Sequence, residues 1–375
     1  MTTVTFLLSK DPLTEHGGDI ALSRLVMRLA AEAFDVSAIC LSSSSETLDT
    51  ELASTGVRLT RVVKPAVDAR SLLTRAIRRR RSLVHVRFDT PELAAAIERT
   101  DAEVFVAEHN YMGESFLRTR HYRDRRFVVN TVNTESEVWR ATRGVLGRIE
   151  APRLVRDELR VARAADAVGT YDADEAQWYV QQGVSGARWI DLTMEPIDQL
   201  DLSATSRRLV FLGTRDWPPN QEAFLEALRL WPAISDGIAG AELVVIGAKK
   251  PGAPDVALPD GVRDLGFVDD LRGMLATCRA LIAPVRTGGG VRVKILDAAR
   301  MGLPVIATSA AVGSLGSLFG LRTFDDDTEF VDECRRFLLE SAVSAAAGTD
   351  LYQRNADHWR QRRPHEAVTG LLSGR

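Results

Sequence analysis

The segment "ALIAPVRTGGGVRVKILDAARMGLPVIAT" (residues 280–308) reads as strand, glycine loop, helix and strand in immediate succession. "ALIAPV" is a short apolar run of the kind buried on both faces of a parallel sheet. Gly288, Gly289 and Gly290 end it. Val291, Ile295, Ala298 and Gly302 then recur at the spacing of one helix face turned to a core, and "LPVIAT" is a second buried run. A helix between two such strands predicts parallel pairing, because parallel neighbours need a crossover connection.

The same rhythm extends in both directions. "RRLVFLG", "AELVVIG" and "LPVIAT" alternate with helical stretches in the carboxyl half, and "VTFLLS", "VSAICLS", "AEVFVAE" and "RFVVNTVN" do so in the amino half. The polar stretch "DLTMEPIDQLDLSATS" separates the two series. We expect an α/β protein of two doubly wound, Rossmann-like domains facing across a cleft. Residues 1–200 form the first and 201–350 the second, with the tail 351–375 packing back on the first.

Composition narrows the function. The chain has 375 residues, too many for one ordinary core, and is 45% hydrophobic and 26% charged. A net charge of −3 argues against generic nucleic-acid binding. Three scattered cysteines, Cys40, Cys278 and Cys334, suit a reducing compartment better than a disulfide framework. The start "MTTVTFLLSK" is not signal-like, and no apolar run is long enough to span a bilayer. A cytoplasmic protein is expected, with any membrane contact peripheral, at the inner face.

The glycine loop carries the chemistry. Ligands of open parallel sheets bind beyond the carboxyl ends of the strands. Glycines there let backbone approach a ligand closely, and the N–H groups of the next helix point at an anion. Arg286, Arg292 and Lys294 add positive charge where a helix dipole disfavours cations, so a phosphate or diphosphate is the economical ligand. Asp297, three residues after Lys294, is placed to accept two hydrogen bonds from a sugar diol. The plain reading of the same residues is a flexible loop with a surface Lys294–Asp297 salt bridge.

The carboxyl half resembles the family 4 glycosyltransferases, which are of GT-B fold and belong to the glycosyl transferases group 1. "LVFLGTRDWPPNQEAFLEAL", "LVVIGAKKP" and "VRDLGFVDDLRGMLATCRALIAPVRTGGGVRVKILDAARMGLPVIAT" carry the resemblance over residues 207–310. "DPLTEHGGDIALSRLVMRLA", "VNTESEVWR" and "ELRVARAADAVGTYDADE" extend it more loosely into the amino half. The resemblance implies a hexosyltransferase-type enzyme that moves a sugar from a nucleotide-diphosphate sugar to an acceptor, with retention of configuration and no metal or other cofactor. Of the family's two spaced glutamates, the second falls on Asp297 and the first on Gly289. The diphosphate arginine falls near Arg215, one residue off, and the lysine near Pro219 and Asn220. "GFVDD" makes Phe267 and Val268 candidate base contacts. On this reading Arg215, Arg292 and Lys294 steady the charge that grows on the leaving phosphate.

In the amino half, Gly17, Gly18 and Asp19 follow the first strand and open a helix, and the resemblance turns that loop to the donor phosphates and acceptor. His109, after "AEVFVAE", is a candidate sugar contact, and a structural histidine is the competing reading. Glu135 either lines the site or belongs to a helix cap with Thr134. Residues 70–87, bounded by Arg70 and Arg87, are the most basic stretch, a solvated face or a peripheral contact with an anionic membrane or acidic polymer. The acceptor is a glycan, a lipid-linked sugar, a polymer or a small molecule. Two other functions stay open, a sugar-nucleotide binder without turnover and, less favoured, a sugar-nucleotide epimerase.

Overall fold

The computed structural model describes residues 1–43, 50–52 (backbone only), 56–249, 252, 256–286 and 292–374. It divides into two compact units, Met1–Leu192 with Arg363–Arg375, and Thr193–Arg362. The sequence placed these boundaries near 200 and 350. Met194, Leu200 and Leu202 are buried within the second unit despite their polar surroundings, so the first boundary falls before them.

The first unit is built on strands β1 (Thr3–Leu8), β2 (Asp35–Ser42), β3 (Thr50–Leu52), β4 (Val57–Val63), β5 (Val104–Glu108), β6 (Arg126–Thr131), β7 (Ala167–Thr170) and β8 (Ala187–Trp189). Among the described residues they form one sheet in the order β3-β4-β2-β1-β5-β6-β7-β8. All pairings are parallel except β3 with β4. Val104, Phe105, Val106 and Ala107 are all buried, as a central parallel strand covered on both faces requires. Phe116 and Phe127 stack at 4.6 Å between centroids in the same core.

The second unit is a sheet in the order β11-β10-β9-β12-β13, every pairing parallel. Its strands are β9 (Arg208–Leu212), β10 (Glu242–Ile246), β11 (Val262–Gly266), β12 (Ala280–Ala283) and β13 (Val305–Ala307). Leu209, Phe211, Ile282 and Trp231 anchor its core.

Both sheets reverse direction once. In the first, β1 lies between β2 and β5, and in the second, β9 lies between β10 and β12. Loops leaving the two strands at such a switch point diverge to opposite faces, opening a crevice at the strands' carboxyl ends. The chain then returns. Helix Ser341–Arg360 stays in the second unit, where Asn355 donates to the Met194 carbonyl at 2.8 Å. Helix Arg363–Ser373 belongs to the first, burying Val368, Leu371 and Leu372. The Arg126 guanidinium caps that helix, donating to the carbonyls of Leu372 and Leu371 at 3.0 and 3.1 Å.

Candidate functional site

In the second unit, the loops after β9 and β12 meet at the switch point. Lys294 stands on helix Val293–Met301, which follows β12, and Asn220 on helix Pro218–Ser235, which follows β9. The Lys294 ammonium donates to the Asn220 side-chain carbonyl at 3.1 Å, and the Asn220 amide donates to the Thr214 carbonyl at 3.0 Å. One side chain thus ties both loops together. The ammonium also lies 5.5 Å from the centre of the Phe211 ring. Burial lowers its pKa to about 8, and no carboxylate among the described residues pairs with it. The surface pair Lys294–Asp297 is not formed. Asp297 instead meets Arg300 at 3.0 Å, one turn further on.

A desolvated cation without a counter-charge is costly in a folded protein. Its natural complement is an anion delivered from solution. Arg292 precedes the same helix as its capping residue. Its guanidinium rests against Gly313, where an added Cβ would lie 2.2 Å from the guanidinium carbon. Gly313 itself sits at φ 50 in the loop after β13. The glycine therefore leaves the space that Arg292 fills. Nothing charged or aromatic marked Gly313 in the sequence, and its role follows only from contact across the fold.

The two other arginines are held differently. Arg215 is 4% exposed, and its guanidinium makes a bidentate pair with Asp264 at 2.6 and 2.9 Å and donates to the Gly247 carbonyl at 2.8 Å. Arg286 joins an outer network with Glu226, Asp327 and the Asp325 carbonyl. Phe267 is 82% exposed on the loop after β11, whereas Val268 packs against the apolar core. Gly288, Gly289, Gly290 and Val291 lie outside the described residues.

In the first unit, the loops after β1 and β5 meet in the same way. Gly17 and Gly18 open helix Gly18–Ala31, and Asp19 turns back to Lys10 at 2.6 Å. His109 follows β5 at φ 71, a strained conformation for a residue with a side chain. Its ring stacks on Tyr111 at 4.9 Å. One ring nitrogen lies 3.9 Å from Asp19, and the other 3.9 Å from Glu135. Gly17, Gly18, Asp19, His109 and Glu135 are thus brought together. The cap reading of Thr134 and Glu135 is not realised, since Thr134 makes no side-chain cap bond and its hydroxyl donates to Glu175 at 2.5 Å.

Beneath this cluster is a buried polar layer that the sequence did not reveal. Glu108, the last residue of β5, accepts from Asn130 at 2.8 Å and from Ser23 at 3.2 Å. Burial pushes it up to about 7 against those two hydrogen bonds. Burial, helped by the nearby Glu158, pushes Glu135 up to about 8. For Asp19, burial is outweighed by His109 and Lys10, which hold it well below the usual carboxylate range. A small pocket lined by Ser9, Lys10, Asp19, Ser23, Glu108 and His109 opens over the layer.

The segment that holds Lys294 also matches a known family. Residues 206–339 match the family model for glycosyl transferases group 1. The match lies within the second unit, and over it the chain is similar to the group 1 glycosyltransferases. The whole chain is similar in structure to sucrose-phosphate synthase from Thermosynechococcus elongatus, with TM-score 0.73 and 16% identity over 100% of this chain and 99% of the other. It is similar to HepE of Anabaena, solved with UDP and glucose, with TM-score 0.70 and 13% identity over 100% of both chains. WaaG, a glycosyltransferase involved in lipopolysaccharide biosynthesis, gives TM-score 0.68 and 13% identity over 99% of this chain and 100% of the other. At these identities the likeness establishes the fold, the pair of Rossmann-like domains called GT-B. No curated protein sequence matches the chain. Among the described residues no helix is long and apolar enough to cross a membrane.

Proposed function

We propose that the chain is a glycosyltransferase that moves a hexose from a nucleotide-diphosphate sugar to an acceptor, with retention of configuration and without a metal ion. The observation that carries the reading is Lys294, a desolvated ammonium at the switch point with no carboxylate partner among the described residues. HepE has been solved with UDP and with UDP-glucose, and the donor proposed here is of that class.

The roles follow from charge. Breaking the bond between sugar and diphosphate leaves negative charge on the departing phosphate. Lys294, Arg292 and the N–H groups of helix Val293–Met301 are assigned to that charge. Stabilisation aimed at developing charge is commonly the largest catalytic contribution. Asp297 is assigned to the ribose diol, Phe267 and Val268 to the base, and Gly288, Gly289 and Gly290 to close backbone approach. Arg215 shapes the loop after β9 through Asp264. His109 is assigned to the sugar hydroxyls, and the departing phosphate can take the acceptor's proton. The acceptor belongs to the glycan, lipid-linked, polymer or small-molecule classes.

We place the enzyme in the cytoplasm, where its three cysteines, none of which forms a disulfide, stay reduced. Residues 70–87 give it a peripheral contact with the inner face of an anionic membrane. Helix Ala69–Arg79 supports this by turning Leu73 and Ile77 to solvent, 50% and 62% exposed, between Arg70 and Arg78.

The decisive experiment is calorimetry with UDP, followed by a turnover assay over a panel of nucleotide-diphosphate sugars. Wild-type protein should bind UDP and turn over at least one donor, and NMR of the product should show the donor's anomeric configuration. UDP affinity unchanged by Lys294→Ala, together with unchanged turnover, would place the diphosphate elsewhere.

A further inference from the structure

A surface apart from both loop clusters lies on the first unit, where helix Glu135–Thr142 passes into helix Gly144–Ala164. Two glycines build the turn. Gly144 adopts φ 54, and Gly147 sits so close to the preceding helix that a Cβ there would lie 1.9 Å from the Trp139 carbonyl oxygen. With Gly147 pressed inward, the next positions on the helix point out. Val145, Leu146 and Ile149 are 70%, 52% and 61% exposed. Three aliphatic side chains grouped this way mark an interaction surface rather than ordinary scatter.

Charge around the trio is one-sided. Arg140, Arg143, Arg148, Arg153 and Arg156 are exposed on this stretch, and Glu137 is the exposed acid. Glu150 and Asp157 are buried and serve the interior. Glu150 accepts from the Leu83 backbone and Asp157 from the Ser82 backbone, each at 2.6 Å. Those bonds, with one from the Arg156 guanidinium to the Arg80 carbonyl, fasten this helix to the segment that ends helix Ala69–Arg79.

We infer that the first turns of helix Gly144–Ala164 dock on an anionic lipid bilayer. Val145, Leu146 and Ile149 enter the boundary between headgroups and acyl chains, and Arg143 and Arg148 meet the lipid phosphates. The cations select an anionic surface over a zwitterionic one. The aliphatic trio selects a bilayer over an acidic polymer, which offers nothing for apolar side chains to enter. The inference adds a second anchor to the contact proposed at residues 70–87, and stable peripheral attachment generally takes two such signals.

The test is flotation of the full chain with phosphatidylglycerol–phosphatidylcholine vesicles and with phosphatidylcholine vesicles alone. Wild type should float with the anionic vesicles only. The triple variant V145S/L146S/I149S changes exposed positions, so its thermal unfolding should match wild type, while its partition coefficient falls at least about tenfold. A separate variant, L73S/I77S, tests the other anchor. Loss in the triple variant with none in L73S/I77S would keep this inference and remove the contact at 70–87. The inference fails if the triple variant floats like wild type, if wild type ignores anionic vesicles, or if it floats equally with neutral ones. Heparin binding that survives the triple variant, without vesicle flotation, would replace the bilayer with an acidic polymer.

Discussion

The two units are the same device with opposite electrical character. Each is a parallel sheet with one reversal of strand order, and each brings two loops together at that reversal. At the first unit's reversal, carboxyls crowd the site. Burial pushes Glu108 up to about 7 and Glu135 to about 8, and Asp19 stands ionised beside Lys10. At the second unit's reversal the corresponding group is a half-buried lysine, lowered to about 8 by desolvation. Topology therefore sets where each unit's loops converge, and the residues lining those loops set the charge found there. Under the proposed function, the cationic crevice of the second unit is the one assigned to a diphosphate.

The comparison is broken first by stability. Arg215 and Lys294 are both cations of the second unit but stand in opposite environments, the first paired with a carboxylate and the second not. Arg215→Ala leaves Asp264 buried without its bidentate partner and should cost about 3–5 kcal/mol in denaturant unfolding of the second unit. Lys294→Ala removes a desolvated charge and should cost far less, or stabilise. Equal losses would mean that Lys294 has a counter-charge in the fold.

Catalysis should rank the other way. Lys294→Ala is expected to lower kcat by about 100-fold or more, the scale seen when one donor to a developing oxyanion is removed. The KM for donor should move less, because the interaction strengthens as the bond breaks. Donor affinity of the wild type should also fall as pH rises above about 8, since the ammonium that attracts phosphate deprotonates there. Titration calorimetry with UDP between pH 7 and 9 checks this, and Lys294→Arg should abolish the decline.

Gly313→Ala is a smaller and more specific perturbation. The new methyl would displace the Arg292 guanidinium, a flexible group that can move, so stability should fall only by about 1 kcal/mol from the strained φ. Turnover should drop by about tenfold, on the assumption that Arg292 contributes about half of one strong donor's effect. In an Arg292→Ala background the same glycine change should be kinetically silent. A full effect in that background would show that Gly313 acts through something else.

The smallest expected effect belongs to the carboxyl layer. Folded Glu108 keeps its proton up to about 7, against an ordinary value of 4.5. The folded state then holds the extra proton between those values, so stability falls as pH rises through that window. Glu108→Gln should flatten this part of the stability profile without altering it above pH 7. An unchanged slope would assign the proton to a neighbour.

The fold was legible because parallel strands buried on both faces are written as uninterrupted apolar runs, and every run singled out in the sequence is a strand. Arg292 and Lys294 were legible as candidate cations because the sequence sets them directly after three glycines. What could not be read was pairing across the chain. Asn220 receives Lys294 from a helix 74 residues away, and Asp264 takes Arg215 from 49 residues away. No local pattern announces either. Glu108 and Asn130 were hidden because each lies near the carboxyl end of an apolar strand, where a polar residue looks like the start of a loop.

The helix that Arg126 caps gives the first unit an unusual biography. Begun with the first residue, that unit cannot be completed until Val368, Leu371 and Leu372 have been made, after every residue of the second unit. On a ribosome, where chain emerges from the amino end, the second unit can finish folding first. The first must meanwhile wait with an apolar seat open for its final helix. For that interval the unit begun earliest is the one most exposed to chaperones, proteases and wrong partners.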